Sequence, residues 1–149
     1  MNEKYSIEQN PHKGNKGITR AFKAAVNSWH GLVFAIREES AFRQELTLAC
    51  ILIPISFFIS ATPLEHVALF GSVILVLVVE LLNSSVEAAI DRISFEQHGL
   101  SQRAKDYGSA AVMLSLVLCF ATWICILIPF FQNNQLTTYF NLSSLRHLI

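Results

Sequence analysis

Three long apolar runs, separated by short charged segments, set the plan of this 149-residue chain. Leu46 to Leu64 carries no charge and, at about 19 residues, is long enough as a helix to cross a bilayer. Pro54 within it predicts a bend, which spans tolerate when neighbours re-satisfy the freed carbonyl. Thr62-Pro63-Leu64-Glu65 predicts the start of the next helix, with Thr as N-cap, Pro at the first helical position and Glu at the third as a capping box. The connection is therefore short and the first two helices run antiparallel. The second run starts near Val67 and stays free of charge to Val79, about 20 Å of helix against a hydrocarbon layer of roughly 30 Å. Glu80 must then enter the membrane at shallow depth. The third run spans Ala110 to Phe131 and is preceded by Gly108-Ser109-Ala110-Ala111, small residues that permit close helix contact.

The flanking segments divide the chain into a mobile tail (1–17), a membrane domain (18–131) and a C-terminal tail (132–149). Pro11, Gly14 and Gly17 break the first of these, and the polar last one suggests no site. From Ile18 to Ala35, Phe22, Val26, Trp29 and Val33 recur at helical spacing, while Arg20, Lys23 and Asn27 line another face. That pattern predicts an amphipathic helix lying in the headgroup plane. Arg37 to Glu45 concentrates charge before the first span, which makes Glu39 a reasonable metal ligand by position, although spacing alone does not select it. After the second span, Gly99 suits a helix C-terminus and Ser101 the cap of the next helix. Arg103, Lys105 and Asp106 then fall in its first turns, an electropositive place for phosphate as well as a topogenic loop.

Composition agrees with this plan. The chain is 52% hydrophobic and 15% charged, with formal net charge zero, and its charges gather at the ends and between the runs, as in a membrane protein. The fold class expected is all-α: an N-terminal amphipathic surface helix followed by three transmembrane helices. Bases precede the first span and lie between spans two and three, whereas the turn between spans one and two has none. The positive-inside rule puts the N-terminus and the Asp91–Lys105 loop in the cytoplasm. Cys50, Cys119 and Cys125 sit inside apolar runs without metal-ligand spacing and read as small buried hydrophobes. No cleavable signal is visible, and no nucleic-acid partner is expected.

The stretch from Val78 to Arg92 carries the chemistry. On a helix, Glu80, Asn83, Ser84, Glu87 and Asp91 share one face, while Leu82, Val86, Ala89 and Ile93 occupy the other. A carboxylate at the end of an apolar span is costly without a partner, so it marks function. The alternative is a structural polar seam between helices. All these acids, both basic clusters and the amphipathic helix fall on one side of the membrane. Phosphorylating a lipid hydroxyl needs a base within reach of it, a divalent cation on carboxylates, and fixed positive groups on the phosphoryl. Glu80 suits the first by depth, Glu39 and Glu87 the second, and Lys105 with Arg20 the third. The chain has neither a G-x-x-x-x-G-K-[ST] loop nor the protein-kinase signatures.

At these residues the sequence resembles the prokaryotic diacylglycerol kinase family of small membrane lipid kinases. The matching pieces are Glu80 to Arg92 (ELLNSSVEAAIDR), Arg103 to Ala111 (RAKDYGSAA), Ala41 to Glu45 (AFRQE), and Ser28-Trp29 with Gly31-Leu32. The resemblance runs from about Thr19 to Ile128. It implies a homotrimer with active sites between subunits, ATP as co-substrate and Mg²⁺ as cofactor. It also implies Glu80 as general base, Glu39 and Glu87 as Mg²⁺ ligands, and Arg20, Glu39, Glu87, Glu96, His98, Lys105 and Asp106 as nucleotide contacts, with Asn83 supporting the site. Asn27 stands where the family often places an aromatic residue of the nucleotide pocket. Arg20, Ser28, Trp29, Arg43, Gln44, Glu80 and Ser109 fall where the family binds lipid or braces that pocket. The expected activity is ATP-dependent phosphorylation of 1,2-diacylglycerol to phosphatidic acid at a bacterial inner membrane. Undecaprenol is the alternative lipid, and a proton or cation pathway through Glu80, Asn83 and Glu87 is the alternative of another class.

Overall fold

The structure, a computed structural model, describes residues 18–59, 61–93 and 98–146, with side chains as far as residue 132. The tail 1–17 and Glu96 lie outside the described residues. Four helices and no strands are found among them: α1 (Ile18–Glu38), α2 (Ser40–Ser56), α3 (Pro63–Ile93) and α4 (Gly99–Arg146). Two, α3 and the Gly99–Gln132 part of α4, are long and apolar enough to cross a membrane. The described chain divides into two compact units, one ending at Glu38 and the other beginning at Glu39.

Taken by itself, α1 is amphipathic as its spacing predicts, and Ile18, Phe22, Trp29 and Phe34 are all exposed. Exposed aromatics along a helix with basic residues on another face are what an interfacial helix presents to lipid.

In the second unit, α3 packs against both α2 and α4. Its buried residues are Leu69, Ser72, Val73, Val76 and Glu80, a seam at alternating steps of three and four. On α2 the matching stripe is Phe42, Ala49 and Ser56, and on α4 it is Ser115, Cys119 and Trp123. Ala49, Ile59, Leu69, Val73, Val76, Cys119 and Trp123 close into one apolar cluster. The cluster sits towards the α2–α3 turn and leaves the other end of the seam polar. The faces turned away from these seams remain apolar and exposed, with Leu82 61% and Ile93 84% accessible, as expected of surface in lipid. All three cysteines are free, and Cys119 is buried.

Several local expectations hold and others need correcting. The capping box is present: the Thr62 amide and hydroxyl donate to Glu65 Oε2 at 2.6 and 2.7 Å, and the Glu65 amide returns to Thr62 Oγ1 at 3.4 Å. These bonds hold the Glu65 carboxyl below its ordinary pKa. The stretch predicted as one span from Leu46 to Leu64 is interrupted, because α2 ends at Ser56. Beyond Pro54 the Ser56 hydroxyl donates to the Ile53 carbonyl at 2.7 Å, the acceptor a continuing helix would offer Phe57, and the chain tightens into three-residue closures, Phe57 to Pro54, Phe58 to Ile55 and Ile59 to Ser56. Gly99 does not terminate α3 but opens α4. His98, rather than Ser101, caps α4, its Nδ1 accepting from the Leu100 amide at 3.2 Å. Pro129 does not stop α4, which continues through Arg146.

Replacing Thr62 by Ala should cost about 1 kcal/mol through loss of the N-cap. Thermal unfolding in detergent micelles should show a lower midpoint, and an unchanged midpoint would mean that the cap contributes nothing to the α2–α3 turn.

Candidate active site

The buried seam of α3 changes character at Glu80. One turn earlier it is Val76, inside the apolar cluster. Glu80 is only 3% exposed, and one and two turns later Asn83, Ser84 and Glu87 continue the same face. Together with Glu39, Ser40 and Ala41 from the start of α2, and Ser109 and Val112 from α4, these residues line a cavity of about 380 Å³. Three carboxylates thus share one wall that contains no basic side chain. Glu80 lies within Coulombic range of both Glu87 and Glu39.

Each carboxylate is placed by a local feature. Glu39 is the N-cap residue of α2, in an extended conformation (φ −96°, ψ 113°), yet its side chain makes no cap hydrogen bond. A carboxylate at a helix N-terminus usually turns back to the first amides. This one contributes to the cavity wall instead. Glu87 accepts from Asn83 Nδ2 at 3.1 Å. Asn83 Oδ1 is buried without a hydrogen-bond partner among the described residues, pressed against Gly108. Ser109, one residue on from that contact, also lines the cavity.

The donor set fits a hard divalent cation shared with a ligand. Among the described residues no three His, Cys, Asp or Glu side chains converge as a complete metal site. Mg²⁺ does not need one, because it takes one or two carboxylates and fills its octahedron with phosphate oxygens and water. Glu39 and Glu87 could supply that pair beside Glu80.

Lys105 Nζ is bound to Asp91 Oδ1 at 2.5 Å, a tie between the end of α3 and the start of α4. That hydrogen bond raises the Lys105 pKa, so the ammonium stays charged. Asp106 is exposed, and the His98 ring faces the first turn of α4. Arg43 and Gln44 are exposed on α2, away from its buried stripe. Arg20, Asn27, Ser28 and Trp29 belong to α1.

Glu45 was not singled out by the sequence reading. It lies three residues after Phe42 and four before Ala49, both buried, and so points along the inner stripe of α2. Its Oε2 is buried without a hydrogen-bond partner among the described residues, and the charge of Glu80 is felt at it. The available signal was its helical register with the apolar residues, which the surrounding charge cluster obscured.

Comparison with known proteins adds an independent finding. The model of the prokaryotic diacylglycerol kinase family matches residues 26–127. A diacylglycerol kinase of Haemophilus influenzae is 47% identical over 107 residues, covering 72% of this chain and 91% of that protein. One from Escherichia coli K12 is 46% identical over 112 residues, covering 75% and 91%. One from Pseudomonas aeruginosa is 42% identical over 122 residues, covering 82% and 99%. The cavity-lining residues all fall within the matched segment, whereas Arg20 and the chain after Gln132 lie outside it.

Glu45→Gln should raise the midpoint of thermal unfolding in micelles by a few degrees at pH 8. It removes a like charge beside Glu80 while keeping the shape of the side chain. A lowered midpoint would show that the Glu45 carboxylate is paired rather than crowded.

Proposed function

The chain belongs to the prokaryotic diacylglycerol kinase family, the lipid kinases of bacterial membranes, and we propose that it transfers the γ-phosphoryl group of ATP to the free hydroxyl of 1,2-diacylglycerol. The observation that carries this reading is the acid-lined, base-free wall of Glu39, Glu80 and Glu87 at the polar end of an otherwise apolar helix seam.

Glu80 is the general base. It accepts the proton of the lipid hydroxyl as that oxygen attacks the γ-phosphorus and ADP departs with the bridging oxygen. Its place one turn beyond Val76 puts a proton acceptor where a lipid's polar end can reach it. Glu39 and Glu87 hold Mg²⁺, with Asn83 fixing Glu87. When bound, Mg²⁺ neutralises charge on the triphosphate. Lys105, poised by Asp91 at the mouth of the α3–α4 pair, meets the phosphates, and the start of α4 adds its N-terminal dipole. His98 and Asp106 flank the nucleotide on that side, and the family resemblance adds Glu96, Arg20 and Asn27 as nucleotide contacts. Ser109, Arg43, Gln44, Ser28 and Trp29 hold or brace the lipid.

In the bilayer α2 with its following turn forms the first of three crossings and α3 and α4 the others, with the α3–α4 loop cytoplasmic; α1 is an interfacial helix. The family resemblance implies a homotrimer that shelters the acids between subunits, and the exposed apolar faces of α3 and α4 are consistent with further copies packing there. The relatives' names favour diacylglycerol over undecaprenol as the alcohol.

The test is phosphorylation of lipid in mixed micelles with labelled ATP. Wild-type protein should label diacylglycerol in preference to undecaprenol. Glu80→Gln should reduce turnover by about 10²–10⁴-fold with little change in nucleotide affinity. Preference for undecaprenol would overturn the substrate, and normal turnover in the variant would overturn the base.

A further inference from the structure

Across the seam between α3 and α4, Gly108 faces Asn83. A Cβ placed on Gly108 would collide with Asn83 Oδ1 and lie 3.1 Å from Asn83 Cγ and 3.7 Å from Asn83 Cβ. The same construction at Gly31, Gly71 and Gly99 meets nothing within 4 Å, so close approach is not a general property of the chain's helical glycines. The Asn83 oxygen occupies the space that an alanine methyl would take and faces the glycine Cα–H, the geometry of a weak C–H···O contact.

Asn83 gains little from this arrangement on its own account. Its Oδ1 is buried without a conventional partner, which is unfavourable for an amide. The other end of the same amide is engaged, with Nδ2 donating to Glu87 Oε1 at 3.1 Å. Turning the amide over would set its oxygen against the carboxylate, so the Glu87 bond fixes which end faces Gly108. That bond is already near the long end of the N–H···O range. A methyl at position 108 would push Oδ1 away by more than such a bond can absorb. The atom displaced is the tip of a side chain rather than backbone, so the helices can remain packed while the amide moves.

We propose that Gly108 is a positioning residue: by leaving room for Asn83 Oδ1 it holds the Asn83 amide on Glu87, and so fixes the orientation in which Glu87 meets a divalent cation. This rests on the reading of Glu87 as a cation ligand. Gly108 touches neither substrate nor cation, and acts through Asn83 alone.

The test uses the full chain in micelles carrying Gly108→Ala, Asn83→Ala, both together, or Glu87→Gln. Binding of Mn²⁺ with a non-hydrolysable ATP analogue is read by electron paramagnetic resonance, beside the Mg²⁺ dependence of turnover and the thermal midpoint. Gly108→Ala and Asn83→Ala should each weaken cation binding about tenfold, the lower end for partners that orient a metal ligand. The double variant should be no weaker than Asn83→Ala alone, because the amide to be displaced is already gone. Additive losses overturn the proposal, as does wild-type Mn²⁺ affinity in Gly108→Ala when Glu87→Gln is impaired. Unchanged binding in Glu87→Gln overturns the cation reading of Glu87 itself. Should Gly108→Ala fail to fold, folding of the double variant supports the steric contact with Asn83. Failure of both shows that the methyl meets the helix itself and overturns the proposal.

Discussion

A carboxylate tolerates burial only with a cation, a proton or polar groups around it, and the second unit of the chain is arranged around that constraint. The inner seam of α3 begins with Leu69, Val73 and Val76 in an apolar cluster and then, without changing register, presents Glu80, Asn83 and Glu87. The apolar half packs α2 and α4 closely enough to shield Glu80 to 3% exposure. Its polar half then opens a cavity whose wall has three acids and no base. A wall of that kind attracts positive charge when water is scarce. Its missing partner is therefore supplied with the substrate on the proposed reading, as a cation carried by the triphosphate. Catalytic need and electrostatic need coincide at the same place.

The polar face of α3 was legible because helical periodicity requires only sequence. Glu80, Asn83, Ser84 and Glu87 appear at the right intervals, and the cavity takes all four. The capping box at Thr62 and Glu65 was legible for a similar reason, since a local hydrogen-bond pattern depends on residues three positions apart. The convergence of Glu39 on these residues was suggested by its position before the first span and by the family resemblance, not by its spacing. Nothing in its spacing distinguishes it from Glu38, and only the structure shows that its carboxylate declines the cap of α2.

Two of the misses come from a competition between local options, and one does not. The stretch after Pro54 could continue as helix or end, and the Ser56 hydroxyl, by taking the Ile53 carbonyl, favours ending. Gly99 could finish one helix or begin another, and the His98 ring, by accepting from the Leu100 amide, favours beginning. Glu45 has no local competition to read. Its importance comes from α3, distant in sequence, bringing Glu80 beside it.

The tie between Lys105 and Asp91 follows the same logic at the water-facing end of the seam. A lone ammonium there would be strongly hydrated and widely mobile. Bound to Asp91, it is held charged and fixed to both helices, but on an exposed pair whose attraction water weakens. A triphosphate carries more negative charge than a single carboxylate and can compete for that ammonium without breaking a buried contact. The strong, desolvated interactions are thus reserved for the acids near Glu80, where geometry must persist through the reaction. On the proposed reading the weak, hydrated one sits where the nucleotide arrives and leaves, so exchange at the mouth need not disturb the packed seam beneath it.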